Sequence, residues 1–175
     1  MVLISFEDDM KDADEILKDD IAIIEGLINQ YEKTKSASKL LEIAKQADSL
    51  ADLYYEALET FSPRFSQYKL MASEYYDKLS GEIHIPNAKV MSILLAALGG
   101  KPETAQKKLE LLQIKSAQKK NSKKSEVDEV LLSLIEQIIN HDIEHAMKNL
   151  RNQKSLMDEN LYKYIRKTLD YLSKM

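Results

Sequence analysis

The 175-residue sequence has no cysteine and no tryptophan, and only three prolines and four glycines. Without cysteine there is no disulfide, no thiolate nucleophile and no sulfur ligand for a metal; this fits a reducing compartment, and a cytoplasmic location is expected. With so few breakers, long helices run uninterrupted, and strand signals are missing. No apolar run approaches the roughly 18 residues that a bilayer span needs. The apolar start from Met1 to Ile4 gives way at once to acids, so no membrane or secretory segment is expected. A phosphate-cradling loop is also lacking, because the Gly99-Gly100 pair is followed by Lys-Pro-Glu. No glutamate has a histidine three positions on, which removes the ligand pairs of di-iron bundles.

The chain instead shows apolar periodicity: 44% hydrophobic and 31% charged residues, arranged at three-and-four spacing. A first helix, capped by Ser5, is expected to run to about Glu32 on the stripe Met10, Ala13, Leu17, Ile21, Ile24, Ile28 and Tyr31. After a break at Lys33 to Ser38, a second carries Leu40, Ala44, Ala47, Ala51, Tyr54, Leu58 and Phe61. A third starts at Pro63, uses Phe65, Tyr68, Ala72, Tyr75 and Leu79, and stops at Gly81. Pro86 marks a non-helical crossing, and Asn87 can cap the next helix.

A helical hairpin is then written twice, 41 residues apart. Val90, Ile93, Leu94, Ala97 and Leu98 run into Gly99-Gly100 and the pattern resumes at Ala105 and Leu109; Leu131, Leu134, Ile135, Ile138 and Ile139 run into Asn140 and it resumes at Ala146 and Leu150. Each copy stops at a residue tolerant of left-handed backbone and places alanine where the helices cross. Between them, Lys115 to Ser125 reads as a lysine-rich loop, with Ser125 and Asp128 resembling a capping box. A last helix carries Leu161, Ile165, Thr168 and Leu172. The fold class is all-α: one domain, 1–175, of seven or eight antiparallel helices, with a long-helix half at 1–81 and stacked hairpins at 87–175.

Few residues invite chemistry. His141-Asp142-Ile143-Glu144-His145 spells H-x-x-E-H, in which two histidines one turn apart would hold zinc and the glutamate would act as base. That geometry needs both histidines in one helix, whereas the hairpin comparison puts His141 in the turn. The chain is therefore read as a non-enzyme with no metal or cofactor. Charge is more informative. Eight acids between Glu7 and Asp20 oppose Lys11 and Lys18, a net of −6 over the first twenty residues. Seven lysines between Lys107 and Lys124 oppose Glu110, a net of +6. The lysine run lacks interleaved arginines and aromatics and the pI is about 5.5, so nucleic acid is not expected. An acidic helical face steers a protein toward a basic partner. Candidate partner-binding residues are Glu7, Asp8, Asp12, Glu15 and Asp19, joined by Tyr55 and Tyr76. These two tyrosines come from an internal echo, A-x-x-Y-Y-E-x-L at Ala51 and A-x-x-Y-Y-D-x-L at Ala72, in which Tyr54 and Tyr75 occupy the inward stripes.

The hairpin phrases A-A-L-G-G-K-P-E-T-A-Q-K-K-L (96–109) and Q-I-I-N-H-D-I-E-H-A-M-K-N-L (137–150) resemble the small all-helical immunity proteins of bacterial polymorphic toxin systems, such as the immunity protein 49 family. The resemblance implies a cytoplasmic antidote that binds a cognate toxin with a basic surface and blocks it. Two alternatives stay open. A tetratricopeptide-like adaptor would bind a peptide or helix but requires repeats near 34 residues. A zinc-dependent hydrolase would use the histidine pair.

Overall fold

The computed structural model describes residues 6–82, 87–118 and 125–175. Among them are nine α-helices, one 3₁₀ turn and no strand, which establishes the all-α class. The expected 1–175 array divides into two compact units, Met1–Ala88 and Lys89–Met175, close to where the sequence separates its long-helix half from its hairpins. No helix among the described residues is long and apolar enough to cross a membrane. The Ser5 cap, the Pro86 crossing, the side chains of the Ser125–Asp128 box and residues 119–124 of the lysine-rich loop lie outside the described residues.

The first unit holds α1 (Phe6–Ile16), α2 (Lys18–Thr34), α3 (Ala37–Leu58) and α4 (Pro63–Glu82). The long first helix expected from periodicity is thus two, which raises the count to nine. The interruption is slight. Leu17 departs from helical torsions (φ −97°, ψ 11°), yet its N–H still donates to Ala13 O at 2.9 Å and its carbonyl still accepts from Ile21 N at 3.0 Å. Ala13, Leu17 and Ile24 are buried along the inner side. α2 ends where Lys35 turns left-handed (φ 52°), and α3 ends likewise at Glu59 (φ 54°), which leaves Phe61 outside the helix expected to contain it. Ser62 and Pro63 then start α4 as N-cap and first-turn residue, with Ser62 Oγ accepting from Phe65 N at 3.2 Å.

α3 and α4 pack along their length. α3 contributes Leu40, Ile43, Ala44, Ala47, Leu50, Ala51 and Tyr54, whose small members let the axes approach closely. On α4 the ladder Phe65, Lys69, Ala72, Tyr76 and Leu79 faces inward, every one of them buried. One expectation changes here, and one position is unforeseen. Tyr76 rather than Tyr75 is the inward member of its pair, and a lysine stands in a core position.

The second unit holds α5 (Ala88–Leu98), α6 (Pro102–Gln118), α7 (Ser125–Ile139), α8 (Ile143–Asn152), a 3₁₀ turn (Lys154–Leu156) and α9 (Glu159–Lys174). α6 carries the helix through Lys115 to Gln118, residues expected in the loop; lysine, glutamine and alanine are good helix formers and nothing breaks the run. Both hairpin turns close in the same way. After α5, Gly100 sits at φ 79° while Lys101 N donates to Ala96 O and Gly100 N to Ala97 O; after α7, His141 sits at φ 60° while Asp142 N donates to Gln137 O and His141 N to Ile138 O. These are two Schellman turns 41 residues apart, with His141 and not Asn140 as the left-handed residue. Ala105 and Ala146 are buried, as the crossing requires, within a core of Ile93, Leu94, Leu109, Leu134, Ile138 and Ile165. Asp158 caps α9 by accepting from Leu161 N at 3.1 Å.

Candidate functional site

The acids expected to meet a partner fall on the first two helices. At 100° per residue, and with hydrogen bonding continuous through Leu17, Asp8, Asp12, Glu15 and Asp19 align as one stripe, bordered by Asp9, Ile16 and Ile23. All seven are exposed, Ile16 at 73% and Ile23 at 49%. Glu7 belongs to the opposite flank, so the structure separates it from the group. Glu15 pairs with Lys18 at 3.0 Å across solvent-exposed side chains, a contact of little energetic weight. Beside the stripe, between α1 and the end of α3, opens a cleft of about 280 Å³ lined by Asp9, Asp12, Ala13, Ile16, Ala57 and Leu58.

One acid of α1 points the other way and fixes the helix. Asp14 Oδ1 accepts from Arg64 Nε at 3.1 Å and Oδ2 from Arg64 Nη2 at 3.0 Å, a two-pronged pairing, and Oδ1 also accepts from the Tyr54 hydroxyl. Burial alone would raise the Asp14 pKa, but the hydrogen bonds from Arg64 and Tyr54 together with the guanidinium charge outweigh it and hold the carboxyl below its ordinary value. Burial, and then the Asp14 carboxylate, push the Tyr54 hydroxyl well above the usual tyrosine value. Tyr54 also stacks on Tyr68 with ring centroids 5.7 Å apart. The clamp ties α1 to α3 and α4 while leaving the acidic stripe outward.

The two tyrosines of the expected patch differ in exposure. Tyr76 is 5% exposed, and burial followed by the negative Asp48 pushes its pKa up to about 12. Tyr55 is half-buried in an aromatic corner, 4.7 Å from the Phe61 ring and 6.2 Å from Phe65. The sequence pattern assigns both to a partner surface; Tyr76 is drawn into packing because the inward ladder of α4 runs through 76, while Tyr55 stays partly exposed with Phe61 folded back over it by the bend after Glu59.

Sequence reasoning missed the buried charge cluster in the same unit. Lys69 Nζ, its side chain 1% exposed, donates to Asp48 at 2.5 Å and Asp52 at 2.8 Å and lies 5.3 Å from the Phe65 ring centroid. The available signal was a charge standing in a four-three apolar ladder. In the second unit, His141 occupies the turn and His145 Nδ1 lies 2.9 Å from Asp142 Oδ1, so the two histidines are not presented together on a helix. Among the described residues no group of three or more His, Cys, Asp or Glu side chains is arranged to hold a metal ion. Compared with protein-family models, curated proteins and solved structures, the chain matches none.

Proposed function

We propose that this chain is a non-enzymatic binding module that receives a basic protein on the outward face of α1 and α2, and that this partner is a toxin it neutralises by covering it. The observation that carries the reading is the composition of that face: Asp8, Asp9, Asp12, Glu15 and Asp19 around two exposed isoleucines, on helices held from behind by the Asp14 clamp. Each chemistry has its part. Carboxylates raise the encounter rate with a cationic surface and reject acidic ones, while burying an isoleucine contributes about 1.5–3 kcal/mol once contact is made. Two isoleucines exposed at 73% and 49% beside the carboxylates give a docked partner apolar area to bury, which solubility alone does not require.

The reading is tested by co-expression with the product of the neighbouring reading frame. That product should arrest growth alone and be silenced by this chain. Asp12→Lys with Ile16→Asp should abolish the protection while far-ultraviolet circular dichroism stays unchanged. A neighbouring product that is harmless alone, or lethal in the presence of this chain, overturns the toxin role. Protection that survives the double variant overturns the face.

A further inference from the structure

Among the described residues, Ile16, Leu111, Ile114 and Ile23 are the most exposed aliphatic side chains held in α-helices, at 73%, 59%, 56% and 49%. They form two groups with opposite surroundings. Ile16 and Ile23 lie among Asp9, Asp12 and Asp19 on α1 and α2. Leu111 and Ile114 lie between Lys107 and Lys115 on the outward side of α6, where all four side chains are exposed. At 1.5 Å per residue the two lysines stand about 12 Å apart along their helix, and Asp12 and Asp19 about 10.5 Å apart along theirs. Each face therefore reads charge, aliphatic, charge over nearly the same length, with opposite sign.

We infer that the α6 face is a docking surface for a second copy of this chain, which seats the outward face of its α1 and α2 there. Laid antiparallel, Lys107 meets Asp19, Leu111 closes over Ile16, and Lys115 meets Asp12 with Ile114 alongside that pair. Neither face can pair with its own copy, since acid would face acid and lysine would face lysine. The contact joins unlike faces, and its repetition gives a reciprocal dimer, head-to-tail chains or a closed ring. One helix against one helix buries less than the roughly 1,200 Å² of a stable complex, so the association is weak and reversible. It also covers the face that a basic partner would use, so a partner present at sufficient concentration dissolves it. The inference needs no outside partner, and its test contains none, so it stands or falls apart from the toxin reading.

The experiment is sedimentation velocity on the full chain. At low salt the average mass should rise with concentration, and about 1 M salt should return it to the monomer by screening. Ile16→Lys blocks one face and Leu111→Glu the other. Each variant should be monomeric alone, whereas an equimolar mixture should form a one-to-one dimer and nothing larger, because one good copy of each face remains. A second pair guards against a misfolded variant: Asp12→Lys with Asp19→Lys, and Lys107→Glu with Lys115→Glu, should each fail alone and associate when mixed. A wild-type chain that stays monomeric to its solubility limit, single variants that still associate, or mixtures that do not, overturn the inference.

Discussion

Replacing Lys69 with methionine should be among the most damaging single changes in the first unit, because it removes a charge and keeps the volume. Lys69 Nζ holds Asp48 at 2.5 Å and Asp52 at 2.8 Å, and its side chain is 1% exposed. The two aspartates are one turn apart on α3 and turn toward the same point. With the ammonium gone, both carboxylates are left at a seam that admits little water. Removing one member of a buried ion pair costs about 3–5 kcal/mol, and two acids losing the same cation place this case toward the upper figure. That is a large share of the roughly 5–15 kcal/mol that holds a typical domain. In urea, with an m-value of about 1.5 kcal/mol/M, the midpoint should fall by about 2–3 M. Tyrosine fluorescence and circular dichroism should both track the shift. Adding Asp48→Asn and Asp52→Asn to Lys69→Met should restore most of the loss, since the two carboxylate charges are then removed as well. A loss under about 1 kcal/mol for the single variant, or a triple variant no better than the single, would refute this account of the cluster.

The turns and the Asp14 clamp yield two further outcomes. His141→Gly should stabilise the second unit by about 1 kcal/mol, because a residue with a Cβ now occupies φ 60°, and Gly100→Ala should destabilise it by a similar amount. An added Cβ at Gly100 meets nothing within 4 Å, so that cost is conformational; a melting temperature that falls for His141→Gly contradicts the assignment. The pH profile of the first unit should decline at both ends. Asp14 has a depressed pKa, so its contribution stands above the unfolded value near about 4 and is lost as pH falls through the folded value; Tyr54 and Tyr76 have raised pKa values, so theirs is full below about 10 and is lost as pH climbs toward the folded values. Asp14→Asn should flatten the acid limb and Tyr76→Phe the alkaline one in urea midpoints taken across pH. An unchanged acid slope in the asparagine variant counts against the clamp.

The parts of the fold legible in the sequence are those in which one residue type repeats on one helix. The seam of α3, the proline start of α4 and the paired hairpins declare themselves through spacing alone. Spacing sets the left-handed position of the second turn one residue early because asparagine favours that backbone more than histidine does, while closure of the turn from Gln137 to Asp142 decides in favour of His141. Lys69 is illegible for a different reason. A lysine in a helical pattern normally marks the wet side, and its burial depends on a pair of aspartates on another helix, seventeen and twenty-one residues away. The same holds for Asp14, which one-dimensional charge counting groups with its exposed neighbours although Arg64, fifty residues on, claims it. Tyr76 lies on the Lys69 ladder and turns inward with it, so missing one entails misplacing the other.

The thin attachment of α1 has a consequence for recognition. Ala13 is the buried residue of that helix, and the carboxylate beside it supplies the clamp to α3 and α4. A segment tied by so little peels away at a fraction of the energy that unfolds its unit, and its amide hydrogens exchange with solvent ahead of those in α3 and α4. Loosening Arg64 would then weaken capture from a distance, by lowering the share of molecules in which the strip lies flat, without altering any atom that touches the partner.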